Sequence, residues 1–249
     1  MISRAAIRIC AVEALRGRTL AGQRVLDSDI GSIDDADTER SPFIAVYTDE
    51  ENADGLALVF EFGVTARMRL VDPVTQQPID GDGVPETDGE IELALDMIQR
   101  QIHVALADPE NAWADCWRGL FGRPTPTSLR GADSKDGVRF AARQLRMVGR
   151  AQADPPFGHP LVTGSVWSKF MALVQASDEP GLAAKAGIFA SLVGTAKPLT
   201  DWRILQAALA QSGPVADALG QSRADGNWPH EIKTTVIHPA AQTPPGGLA

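Results

Sequence analysis

Hydrophobic and polar residues recur with two different periods along the chain. Residues 2–15 place apolar side chains at helical spacing, with charged residues mostly on the opposite face. Residues 56–71 instead alternate apolar and polar side chains with a strict period of two, which is typical of a strand with one buried face. The first segment therefore predicts an amphipathic helix, and the second predicts a long, half-buried strand.

Shorter patterns surround these two segments. A compact apolar run predicts a strand at 43–47, closed by acidic residues, and a looser alternation over 24–33 suggests another strand. Thr87 and Glu90 have the spacing of a capping box, which predicts the start of a helix with one apolar stripe. A stretch rich in proline and glycine predicts a turn at 122–128. Further helices are predicted at 112–121, 166–176, 181–193 and 199–212, and a strand at 231–238.

The segment 137–153 fits two interpretations. Its arginines are spaced by four, three and four residues, so on a helix they would form one basic face; they are Arg139, Arg143, Arg146 and Arg150. As a strand, the segment shows a weaker alternation. Periodicity alone slightly favours the helix.

Charge is distributed unevenly in this acidic chain. The net charge is −9, which argues against a general nucleic-acid coat, since phosphate binding needs dense lysine and arginine. Residues 27–54 hold ten acids against one arginine, whereas residues 97–150 hold nine lysines or arginines against five acids. These segments are either solvated faces or the two complementary surfaces of a subunit that binds its own copies.

Cysteine usage and hydropathy indicate a protein made in a reducing compartment. Cys10 and Cys116 are far apart and form neither a metal-binding spacing nor a disulfide framework. The first helix is interrupted by charges and does not resemble a signal peptide. No apolar run approaches the roughly 18 residues that a membrane span needs. We therefore expect a soluble protein from a cytoplasm, without membrane contact.

Signatures of catalysis are sparse. The loop with Asp80 and Asp82 offers carboxylates to a hard cation, but it departs from the calcium-loop pattern, and a polar loop leading into a helix cap explains the same residues. Ser165 lacks the glycines that a nucleophile elbow places two residues before and two residues after its serine. The four histidines are scattered along the chain. Phosphate-binding, dinucleotide, zinc and redox motifs are missing. We expect no catalytic residue, cofactor or metal.

The order of elements over residues 1–155 resembles that of the tail terminator proteins of long-tailed bacteriophages. The resemblance rests on a helix, an acidic connector, the strand 42–47, the long alternating strand, the capped helix and a returning segment. It implies an α+β fold with a mixed, mainly antiparallel sheet flanked by helices. It also favours a strand at 137–153. Residues 156–249 would form a second, mostly helical extension with a loose tail rich in proline and glycine.

The resemblance further implies a structural role without enzymatic activity. Such subunits close into a ring, usually a hexamer, that caps the tail tube, ends its polymerisation and contacts head-completion or neck proteins. DNA would pass through the ring without sequence recognition. The protein would lie at the tail–neck junction of the virion, and in the host cytoplasm during assembly. The alternatives are a neck or head–tail connector subunit, and a small hydrolase with a helical lid.

Residues at the ring contacts are expected among the charged segments and in one exposed loop. Trp228 lies in a polar loop with no helical stripe to bury it, and could anchor either an interface or its own domain. The candidate interface residues are Asp34, Asp35, Asp37, Glu39, Asp49, Glu50, Asp80, Asp82, Arg139, Arg143, Arg146, Arg150 and Trp228.

Overall fold

One mixed sheet of five strands, accompanied by five helices, makes up the described part of the chain. The computed structural model describes residues 2–28, 42–52, 55–65, 70–75, 77, 87–135, 138–156 and 159–193, with residues 209, 210, 212 and 215. The chain divides into two compact units, Met1–Leu199 and Thr200–Ala249. All the elements below belong to the first unit.

The helices and strands alternate irregularly along the chain. The helices are α1 (Ile2–Leu15), α2 (Asp88–Ala107), α3 (Ala112–Leu120), α4 (Val166–Gln175) and α5 (Pro180–Val193). The strands are β1 (Val25–Asp27), β2 (Phe43–Asn52), β3 (Gly55–Thr65), β4 (Thr125–Lys135) and β5 (Val138–Gly149).

The sheet has the strand order β1-β2-β3-β5-β4. β1 pairs with β2 in parallel, and the other three pairs are antiparallel. β3 is therefore the central strand, between the hairpin partner β2 and the returning strand β5. This arrangement confirms the expected α+β class with a mixed, mainly antiparallel sheet flanked by helices.

The hydrophobic core lies between one face of the sheet and the helices. Alternate residues of β3 from Leu56 to Val64 are fully buried, and they share one cluster with residues of all five helices. We call this face, which also contains Ile44 and Leu145, the inner face. The opposite or outer face contains Tyr47 and Val59, which are paired in register.

The starts of two helices are fixed by carboxylates. At α2 the capping box is complete, since the Glu90 N–H donates to Thr87 Oγ1 (3.3 Å) and the Thr87 N–H donates to Glu90 Oε2 (2.9 Å). At α1 the carboxylate comes from a distant segment, because Asp154 accepts hydrogen bonds from the N–H groups of Ile2 (3.0 Å) and Ser3 (2.8 Å). Both arrangements satisfy N–H groups that a helix cannot pair internally.

Several boundaries differ from the sequence prediction. β2 continues past Tyr47 to Asn52, because Glu51 pairs with Leu56 and Asn52 pairs with Gly55 of β3; the register is irregular between Thr48 and Glu51. The long strand predicted at 56–71 is confirmed from Leu56 to Thr65, where β3 is described. Positions 66–69 lie outside the described residues, and Leu70 is not part of a strand.

The segment after α3 also differs from expectation. The predicted turn at 122–128 is wrong from residue 125 onward, because β4 begins there and pairs along β5. The segment 137–153 contains a strand, as the resemblance favoured, and the helical alternative is wrong.

The helices α4 and α5 confirm the predictions at 166–176 and 181–193. Their buried residues belong to the hydrophobic core of the first unit. The division at residue 155 stays a prediction. The predicted helix at 199–212 is described at only three scattered positions, and the strand at 231–238 lies outside the described residues.

We predict that Asp154→Ala lowers the free energy of unfolding by about 1 kcal/mol, because two N–H groups of α1 lose their acceptor. Asp154→Asn keeps a side-chain oxygen and serves as the matched control. Urea denaturation followed by circular dichroism measures both. Equal stability of the alanine variant and the parent protein would show that the cap is not needed.

Candidate functional site

The candidate interface residues fall into two groups. Asp34, Asp35, Asp37, Glu39, Asp80, Asp82 and Trp228 lie outside the described residues. Of the others, Asp49 and Glu50 lie in β2, Arg139, Arg143 and Arg146 lie in β5, and Arg150 directly follows β5. The described candidates of the predicted acidic surface therefore lie in β2, and those of the predicted basic surface lie in β5 or directly after it.

Because 137–153 contains a strand, its arginines do not form one basic face. Arg143 lies on the inner face, opposite Phe62 in β3, whereas Arg146 lies on the outer face, opposite Val59. The expectation of a single helical face of four arginines is wrong, since side chains of a strand alternate between its two faces.

Arg143 connects β5 to α2. Its Nη1 donates to Asp96 Oδ1 (2.6 Å) and Gln99 Oε1 (3.0 Å), and its Nη2 donates to Glu92 Oε2 (3.2 Å). The side chain is 13% exposed. Its guanidinium is thus used within the subunit, while Arg146 is half-buried on the outer face and Arg150 is exposed.

A polar cluster lies on the outer face, across the three middle strands. The Tyr47 hydroxyl donates to Glu61 Oε2 (3.1 Å) and accepts from Gln144 Nε2 (2.8 Å). Burial, followed by the negative charge of Glu61, raises the pKa of Tyr47. The phenol therefore stays protonated at neutral pH and can act as a hydrogen-bond donor.

A pocket of about 450 Å³ opens where the ends of α2, α3 and β5 meet the start of β4. Most of its wall is apolar, and its polar members are His103, Trp117, Arg118 and Arg123. The pocket is lined by His103, Leu106, Ala107, Trp117, Arg118, Phe121, Arg123, Pro124, Pro126 and Met147. Its size and apolar lining are typical of small-molecule sites.

The polar groups of the pocket differ in what they offer. Arg118 Nη1 is occupied by hydrogen bonds within the subunit, since it donates to the carbonyls of Leu106 (2.7 Å) and Asp108 (3.1 Å). The Trp117 indole N–H is buried and makes no hydrogen bond to any described residue. Burial, and then the charge of Arg100, lowers the pKa of His103, so this imidazole is neutral at pH 7.

The pocket was not foreseen from the sequence. Helical periodicity places His103 in the capped helix and Trp117 in the next one, and Trp117 is only 5% exposed. The pocket was missed because β4 was missed: the sequence prediction assigned Pro124 and Pro126 to a turn. Periodicity in the two helices gives no indication that a distant strand closes the space between their ends.

The two cysteines, although distant in sequence, lie side by side in the core. Cys10 of α1 and Cys116 of α3 are free thiols within hydrogen-bonding distance of each other. Cys116 Sγ also donates weakly to the Val166 carbonyl (3.8 Å). Burial, and then the hydrogen bond with Cys116, raises the pKa of Cys10. Nothing in the spacing of the two cysteines along the chain predicts this contact.

The described segments contain no group of three or more histidine, cysteine, aspartate or glutamate residues that could hold a metal. None of the helices described is long and apolar enough to cross a membrane.

The described unit is an α+β protein whose core fills one face of a five-stranded sheet. Comparisons with protein-family models and with curated proteins both find no match. The functional argument therefore depends on the chain's own surfaces.

We predict that Arg143→Gln lowers the free energy of unfolding by about 1–3 kcal/mol, because Glu92 and Asp96 lose their charged partner. Arg146→Gln is the matched control on the same strand, with an expected change within about 0.5 kcal/mol. Urea denaturation of both variants checks this. Similar losses in the two variants would contradict a special role for the inner-face arginine.

We also predict that Cys10 and Cys116 resist alkylation in the folded protein. Both thiols are buried, and the raised pKa of Cys10 keeps it protonated, whereas the thiolate is the reactive form. Iodoacetamide labelling followed by intact-mass measurement should give no adduct under native conditions and two adducts after unfolding. Rapid native labelling would contradict the buried pair.

Proposed function

We propose that this protein is a structural subunit of a bacteriophage virion that closes into a ring, caps the tail tube and joins tail to head. Support comes from the order of elements that carries the resemblance. In the described residues α1, β2, β3, the capped helix α2 and the returning strand β5 follow one another in that order, and β5 pairs with β3.

The observation that carries self-assembly is the difference between the two edges of the sheet. The edge strand β1 has three residues, whereas the other edge strand, β4, has eleven. Within the described part of the chain, no strand pairs with the edge of β4 that faces away from β5. Residues 125–129 are exposed along that edge, with Leu129 58% exposed. An unpaired strand edge is a ready template for another chain. A ring needs two different complementary surfaces on each subunit.

Ring closure would make weak contacts durable. Each head-to-tail interface of a closed ring is supported by the others, so modest pairing along β4 can hold a stable assembly. The proposed partners are further copies of this chain, as a hexamer, together with the tail tube protein and a head-completion or neck protein. The ring would surround the path of the DNA at the tail–neck junction, after assembly in the host cytoplasm.

The hydrolase alternative gains no support from the pocket. A hydrolase would need an acid–base pair at its site, with a histidine beside a carboxylate and an attacking group. The pocket contains His103, but among the described residues its lining includes no aspartate, glutamate, serine, threonine or cysteine.

We predict that the purified protein forms closed rings of about six subunits, because head-to-tail contacts close when the rotation between neighbours divides a full turn. Light scattering gives the mass in solution, and negative-stain images of the same sample give the shape. A monomer at every concentration, also in the presence of tail tubes, would contradict the proposal.

We further predict that Leu129→Lys converts the rings to monomers, since it places a charge on the exposed edge strand. Leu93 of α2 is also 58% exposed, so Leu93→Lys is a matched control that should leave the rings intact. Loss of rings in both variants would indicate a general effect of charge. Retention in both would place the interface elsewhere.

A further inference from the structure

We infer that the pocket between the ends of α2 and α3 and the start of β4 binds a small monocarboxylate with an apolar body. This inference is independent of ring assembly. It rests on the shape of the pocket, its apolar wall and the sign of the charges around it.

The wall of the pocket would take the apolar body. Trp117 and Phe121 are nearly fully buried and pack edge to face, with ring centroids 5.6 Å apart. Leu106 and Met147 are also buried, so their positions are set by the core. A rigid apolar wall that exists before binding avoids the cost of ordering side chains around a ligand.

The rim of the pocket would take the carboxylate. In a chain with a net charge of −9, the described residues that line the pocket include two arginines and no acid. Arg118 is held by backbone carbonyls and by Asp115, 3.6 Å away. Arg123 is exposed and forms no ion pair with any described residue, so it is the cation available to an anion.

One further polar group of the wall fits the same ligand class. The neutral His103 can donate a hydrogen bond, and it carries no negative charge. A neutral apolar ligand would form no ion pair with Arg123, and a cationic ligand would be repelled by the arginines of the rim. A carboxylate attached to an aliphatic or aromatic body uses both the rim and the wall.

Isothermal titration of octanoate into the full-length protein tests the inference, with 1-octanol as the uncharged ligand of the same length. We expect saturable binding of octanoate with a Kd of about 0.1–1 mM, and binding of octanol that is at least about fivefold weaker. Absence of saturable octanoate binding up to about 10 mM, or equal affinity for both ligands, would overturn the inference.

Variants locate the site. Arg123→Gln should weaken octanoate about fivefold to tenfold and leave octanol unchanged, because only the carboxylate uses the guanidinium. Ala107→Phe, at an exposed position of the rim, should weaken both ligands by filling the pocket. Lys185→Gln makes the same change of charge on α5 and should alter neither. Octanoate binding that is insensitive to Arg123→Gln and Ala107→Phe would place it elsewhere and refute the proposed site.

Discussion

The burial of one face of β3 is the constraint on which the rest of the structure depends. Five alternating side chains from Leu56 to Val64 are completely buried in the central strand, and each contributes about 1.5–3 kcal/mol when removed from water. A slip of one residue would turn all five outward. Gly55 helps to fix the register, because its φ of +127° suits glycine and a Cβ would clash with the carbonyl of Gly149 in β5.

Polar interactions then fix the helices over this apolar face. Arg143 lies on the inner face, and its bonds to Glu92 and Asp96 hold α2 against β5. Asn111 caps α3 and donates to the carbonyl of Ala14 (3.0 Å), which fixes α3 to α1. Arg118 of α3 then joins the two helices, because it donates to the carbonyls of Leu106 and Asp108 at the end of α2. The pocket lies beside this junction and is lined by residues of both helices.

Local patterns predicted what local physics decides. The period-two pattern of β3 and the Thr87–Glu90 capping box depend on neighbouring residues only, and both were correct. β4 was missed because Pro126, a glycine and few apolar side chains make a poor isolated strand; pairing with β5 imposes its conformation. The arginine spacing was misleading because it matched a helix by coincidence. The Cys10–Cys116 contact and the pocket require tertiary proximity, which no periodicity encodes.

The exposed edge of the sheet is difficult to explain for a subunit that acts alone. A long edge strand with unpaired N–H and C=O groups promotes aggregation. Proteins usually shorten such strands, place charged side chains on them or cover them. β4 retains eleven residues and the exposed Leu129, with Pro126 as a partial block near one end. Pro126 also lines the pocket, so a partner strand along β4 and a ligand in the pocket would contact adjacent residues. β4 therefore contributes to two surfaces: no described strand pairs along its edge opposite β5, and its first residues line the pocket between the two helix ends.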